Sequence, residues 1–189
     1  PLMFAMMLEN VWRSEPIDIE AFTTDYLEER YGERDERAEK AWSIITESVY
    51  NNDVTNGGPE SIITGRPSFK LNPGGTTNVK LHYDQMELAE AWDLLVECAD
   101  RFADSEGYRY DLVEFVGAVM ADYAYELLLG IKSAKEAAGA DFATDATYMA
   151  RRDAFLALLA DVDDFKGTNL NFRLGKWTQE ARDAAAEVE

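Results

Sequence analysis

Cysteine and histidine are almost absent from this chain, and basic residues are scarce. With Cys98 as the only cysteine, no intrachain disulfide can form and no zinc or iron–sulfur centre can be held by cysteine alone. With His82 as the only histidine, neither a histidine-based triad nor a multi-histidine metal site is expected. The 18 Lys and Arg residues face 37 Asp and Glu, a net charge of −19. Over most of the surface that charge repels nucleic acid, an anionic membrane or a sulfated polysaccharide. No apolar run approaches the roughly 18 residues that a membrane span requires. The stretch from Leu2 to Leu8 is broken at Glu9 and Asn10, and it lacks the basic leader of a signal peptide. No Asn-x-Ser/Thr sequon occurs, which leans toward a bacterial source.

What is present is helical periodicity. A length of 189 residues with 47% apolar content suffices for one substantial core, and we read residues 1–189 as a single helical domain. Leu2, Phe4, Met6, Met7, Val11 and Trp12 mark a first helix, expected to be buried, that stops before Pro16. Asp18 can cap a second, with Phe22, Tyr26 and Leu27 as its apolar face and Gly32 as its stop. A third runs from about Glu36 to Tyr50, with Ala38, Ala41, Trp42, Ile45 and Val49 on one stripe.

Glycine and proline concentrate in one place. Gly57, Gly58, Pro59, Gly65, Pro67, Pro73, Gly74 and Gly75 fall among Asn and Thr between residues 51 and 80, so a long loop is expected there, pinned by Ile62, Ile63 and Phe69. Helix resumes near Asp84 and carries Leu88, Ala91, Trp92, Leu95, Cys98 and Phe102, with Gly107 ending that region. A spine of roughly 25 residues follows from near Tyr110 to Gly139. Another helix starts at Thr144 or Asp145, holds Met149, Phe155, Leu156, Leu159 and Val162, and ends at Gly167; the last begins near Lys176. The spacing predicts an all-α, irregular bundle of six or seven helices without a fixed repeat. Pro1 is an unusual first residue and the final helix runs to Glu189 without a cap, so we expect a piece of a longer chain.

Few residues invite chemistry. Asp161, Asp163 and Asp164 resemble a calcium loop only superficially, because Lys166 stands where the turn glycine belongs. They read as the wet face of a helix, His82 as a hydrogen-bonding residue at a loop or helix start, and Cys98 as core packing. Carboxylates are too abundant for composition to select a catalytic pair, and none is nominated. The aromatic residues in or beside the loop, Phe4, Tyr50, Phe69 and Tyr83, with Asn51, Asn52 and Arg66, are the better candidates. Sugar rings are held by an aromatic face plus hydrogen-bonding side chains. Packing of helix ends by Phe4 and Tyr50, with Arg66 in a surface ion pair, is the plain alternative.

Three blocks occur in a telling order: Arg30, Tyr31, Gly32 followed by Ala41, Trp42, Val49 and Tyr50; then Tyr110, Asp111, Leu112; then Leu174, Gly175, Trp177, Ala181, Arg182. Together with Arg66 and Pro67, this series resembles the helical C-terminal region of the alpha-N-acetylglucosaminidases, glycoside hydrolase family 89, over nearly the whole chain. Phe22 departs from the family's frequent Trp, and Gly117 with Ala118 departs from an Arg and Gln pair. The resemblance implies a retaining exo-glycosidase that removes terminal alpha-linked N-acetylglucosamine using two carboxyl groups about 5 Å apart. Both glutamates would lie upstream, in a catalytic barrel of the same polypeptide. This chain would pack on that barrel and, through Phe4, Tyr50, Asn51, Asn52 and Arg66, line the substrate pocket, needing no cofactor or metal. The implied location is secreted or cell-surface bacterial, or lysosomal in an animal. The acidity suits a neutral, mucin-type glycan better than heparan sulfate. A non-catalytic helical module for protein interaction or structural support is the competing reading.

Overall fold

Helix starts in this acid-rich chain are marked by aspartate. Asp18, Asp35, Asp84 and Asp145 each take the N-cap position and accept a backbone N–H from Ala21, Arg37, Met86 and Tyr148 respectively. Each thereby satisfies one of the amides that a helix start leaves unpaired and places negative charge at the positive end of the helix dipole. The computed structural model describes residues 1–51, 61–63, 69 and 81–186. Among them are seven α-helices and no strand: α1 (Leu2–Asn10), α2 (Ile19–Tyr31), α3 (Glu36–Glu47), α4 (Gln85–Val96), α5 (Glu106–Ala138), α6 (Ala146–Lys166) and α7 (Leu174–Ala186). Short 3-10 turns occupy Gly139–Thr144 and Leu170–Phe172. The all-α reading holds. No described helix is long and apolar enough to cross a membrane.

The chain divides into two compact units. The first comprises the described residues of Pro1–Asp53 and His82–Leu112, the second those of Val54–Leu81 and Val113–Glu189. In the first, α3 packs on α4 and α2, and α2 on α1. Its core is Leu27, Tyr31, Trp42, Ile45, Leu88, Leu95, Cys98, Phe102 and Tyr108, all buried. Tyr31, Phe102 and Tyr108 form a triangle of rings with centroids 5.2, 5.5 and 5.4 Å apart. Each such pair adds about 1 kcal/mol beyond the area it removes from water. Gly32 closes α2 in the left-handed region at φ 97°, as its position predicts.

In the second unit, Arg151 of α6 donates to the Gly130 carbonyl of α5 at 2.8 Å, while the Lys166 side chain lies against Gly117. The contacts run in opposite order along the two helices, so α5 and α6 are antiparallel. The same face of α6 buries Leu158 and Val162. Lys166 also sits over Phe172 at 4.4 Å, and Lys135 over both Phe69 and Phe142 at 5.0 and 4.7 Å.

Three expectations need correction. Gly107 does not end a helical region: it lies in the first turn of α5, which begins four residues earlier than its apolar pattern suggests. A Cβ there would come within 2.6 Å of the Arg30 carbonyl, so close approach to the end of α2 explains the glycine. Ser105 joins the same corner, accepting from the Tyr108 amide and donating to the Arg30 carbonyl. On α6 the buried stripe is rotated from the expected one, leaving Leu156 exposed, because Arg151 and Lys166 fix which face meets α5. Helix α1 forms as expected but is not buried. Only Leu2 is fully buried, with Ala5 and Met6 partly covered, since α2 shields one side of the helix.

Candidate functional site

Arg30 and Tyr31 at the end of α2, Trp42 in α3 and Asp111 in α5 converge although they are far apart in sequence. Asp111 is 1% exposed and accepts a bidentate pair from Arg30 Nε and Nη2 at 2.6 and 2.7 Å. The Tyr31 hydroxyl donates to the same carboxylate at 3.1 Å and accepts from Trp42 Nε1 at 2.8 Å. The Arg30 guanidinium also lies 5.8 and 5.7 Å from the ring centroids of Tyr26 and Tyr110. Burial pushes the Asp111 carboxyl upward, opposed by the Arg30 hydrogen bonds. Burial, with the adjoining Asp111 charge, also drives the Tyr31 hydroxyl well above its ordinary value, so it stays a donor. This is a polar core that aligns α2, α3 and α5, with its members engaged by one another.

A second cluster centres on Asp35, which besides capping α3 accepts from Arg37 and Arg101 and from the Cys98 thiol. The Arg37 hydrogen bonds hold its carboxyl well below the usual carboxylate range. Burial, reinforced by the Asp35 charge, pushes the Cys98 thiol up to about 11, so it is an inert packing residue at neutral pH. His82 Nε2 donates to the Val49 carbonyl at 2.9 Å, which ties the residue to the chain just beyond α3. Asp161, Asp163 and Asp164 lie exposed on α6, and no group of described residues is arranged to hold a metal ion.

An open groove of about 760 Å³ lies among α1, α2 and α3. Its apolar lining is Met3, Met6, Ile19 and Leu27, while Thr23, Thr24, Ser43, Thr46 and Asn51 offer hydrogen-bonding groups and Glu20, Glu36, Glu39 and Glu47 supply negative charge. Tyr50 completes one end, where its amide bonds the Ile45 carbonyl and so folds the chain back over the terminus of α3. Thr23 is 7% exposed, and its hydroxyl has no partner among the described residues. Such a mixture of apolar floor and polar rim is typical of small-molecule sites.

Of the residues nominated from sequence, Tyr50 and Asn51 meet in this groove. Phe4 points away from it into solvent. Asn52 and Arg66 lie outside the described residues. Phe69 is engaged by Lys135, and Tyr83 stacks edge-on with His82. Sequence reasoning missed Thr23, Ser43 and Thr46. A partial signal existed for Thr23 alone: Ile19, Thr23 and Leu27 recur every four residues along α2 and all three line the groove.

Fold and site thus define an all-α chain whose first unit is built around a buried ion pair and carries an open groove. Residues 22–189 match the family described as the alpha-N-acetylglucosaminidase (NAGLU) C-terminal domain. Human alpha-N-acetylglucosaminidase is 30% identical over 97% of this chain and 24% of its own length. A family 89 glycoside hydrolase from Clostridium perfringens, solved with 2-acetamido-1,2-dideoxynojirmycin, superposes with a TM-score of 0.87 at 27% identity, covering 96% of this chain and 20% of that one. A form of that bacterial enzyme carrying two Glu-to-Gln changes, in complex with its substrate GlcNAc-alpha-1,4-galactose, superposes at 0.74 with 27% identity over 84% and 18%. The chain belongs to the alpha-N-acetylglucosaminidase C-terminal domain family, and spans about a quarter or less of these relatives.

Proposed function

We propose that this chain is the helical C-terminal domain of a retaining exo-alpha-N-acetylglucosaminidase, acting as one domain that packs on the catalytic barrel and lines the substrate pocket. The observation that carries the reading is the match of residues 22–189 to that domain family. The polar network of Arg30, Tyr31, Trp42 and Asp111 supports a scaffolding role, since its groups are spent on one another. The groove supports the contact with substrate. Tyr50 and Asn51 offer an aromatic face and an amide there, and we assign Asn52 and Arg66 to the same pocket in the assembled enzyme; Phe4, which faces away from the groove, would reach substrate only from the other side of α1. The substrate is a terminal alpha-linked N-acetylglucosamine on a neutral glycan, consistent with the −19 charge and with the GlcNAc-alpha-1,4-galactose bound by the Clostridium relative. Glycan breakdown by a bacterial enzyme working at or outside the cell surface fits that substrate.

In the full-length enzyme, Tyr50→Phe, Asn51→Ala and Arg66→Ala each lower kcat/KM roughly tenfold, the loss of about one hydrogen bond, without changing the circular dichroism or melting temperature. Unchanged kinetics in all three would remove these residues from the pocket.

A further inference from the structure

The groove beside α3 is elongated and carries charge of one sign. Glu36, Lys40, Ser43, Glu47 and Tyr50, spaced by four and three residues, form one wall as a single helical stripe. Between Glu36 and Glu47 the helix rises about 16 Å, so the trough is longer than a single sugar ring. Its carboxylates are Glu20, Glu36, Glu39 and Glu47, set against Lys40 alone. Glu39 is engaged by Arg34 at 2.9 Å, and Lys40 reaches across to Glu90 of α4 at 3.2 Å. Glu20, Glu36 and Glu47 are left without an ion pair among the described residues. The helix dipole favours Glu20 and Glu36 in the first turns of α2 and α3 but opposes Glu47 at the end of α3, so helix stability does not account for that residue.

Thr23, on the α2 wall, is an independent sign of a ligand. It is 7% exposed and its hydroxyl has no partner among the described residues, an arrangement that destabilises the unliganded protein. A ligand hydroxyl brought to this point removes the penalty. Ser43 and Thr46 donate inward, to Glu47 and to the Ser43 carbonyl, and keep lone pairs for a ligand's hydroxyls. The carboxylates accept from hydroxyls too, while Met3, Met6 and Leu27 offer an apolar floor to the C–H faces of sugar rings. A neutral, polyhydroxylated chain therefore matches the lining, whereas a sulfated one meets three uncompensated negative charges. Resting on the functional reading above, we infer that this trough holds the neutral sugars beyond the terminal N-acetylglucosamine, running from Tyr50 toward Glu36, and that Glu20, Glu36 and Glu47 set selectivity against sulfated glycans.

Calorimetric titration of the full-length polypeptide tests this with two ligands: a neutral trisaccharide lacking the terminal N-acetylglucosamine, and the same trisaccharide carrying sulfate. At low ionic strength the neutral ligand is expected to bind at least roughly tenfold more tightly, and high salt should narrow that ratio. The combined Glu20→Gln, Glu36→Gln, Glu47→Gln variant should narrow it roughly fivefold. Thr23→Val keeps the side-chain shape and removes the unpaired hydroxyl. It should weaken both ligands roughly fivefold at an unchanged ratio without lowering the melting temperature, which a structural role for the hydroxyl would lower. No binding of the neutral trisaccharide, equal affinity for the two ligands, an unchanged ratio in the triple variant, or unchanged affinity in Thr23→Val each overturns the inference. Hydrolysis of an aryl alpha-N-acetylglucosaminide by the same preparation is scored separately. Selective binding without hydrolysis retains the trough and loses the functional reading, and hydrolysis without selective binding does the reverse.

Discussion

Asp111 shows most clearly how this chain spends its charge. Removing a carboxylate from water costs several kcal/mol, and the cost is offset only when its lone pairs are matched, as they are here by the Arg30 fork and the Tyr31 hydroxyl. The Arg30→Met variant of this chain is therefore expected to lose about 3 to 5 kcal/mol, because it strands a buried carboxylate. The Arg30→Met, Asp111→Leu pair should recover most of that loss in urea melts. A cost below about 1 kcal/mol for Arg30→Met alone would show that Asp111 is better solvated than its 1% exposure implies. The Arg-Tyr-Gly and Tyr-Asp-Leu blocks were legible in the sequence as signatures. Their pairing was not, because a contact between residues 81 positions apart leaves no local period to read. The same limit hid the Trp42 bond to Tyr31, although Trp42 was legible as a core residue.

At the scale of elements, most helices were legible because caps and apolar stripes act within a turn or two. Asp18, Gly32, Asp84 and Asp145 do what their positions suggest. Failures arose where tertiary contact overrode local preference, as at Gly107 and on the rotated face of α6. Asp35 was overlooked as a cap, yet its pairing makes α3 sensitive to acid. Its folded carboxyl lies below its ordinary value of 3.8, so the stability it contributes is present above about pH 4 and is lost as pH falls further. Urea melts should show the chain weakening below about pH 4. Asp35→Asn should start about 2 kcal/mol lower at pH 7, having lost charged hydrogen bonds, and should show a shallower acid limb. An unchanged limb would mean that other carboxylates set the acid response.

At the scale of the whole molecule, the sequence revealed fold class and family relationship but only part of the candidate site. Tyr50 and Asn51 line the groove, whereas Ser43 and Thr46 emerged only when α2 and α3 were placed side by side, and Thr23 had only its spacing with Ile19 and Leu27 to mark it. Sequence alone marked α1 as apolar and could not tell an inward face from an outward one. The central claim is that this chain supports and shapes an active site whose carboxylates lie elsewhere in the polypeptide. It is tested most directly by following an aryl alpha-N-acetylglucosaminide by NMR with the full-length protein and with this chain alone. The account predicts that the full-length enzyme releases N-acetylglucosamine first as the alpha anomer while this chain releases none. Release by this chain alone, or none by the full-length protein, would contradict it.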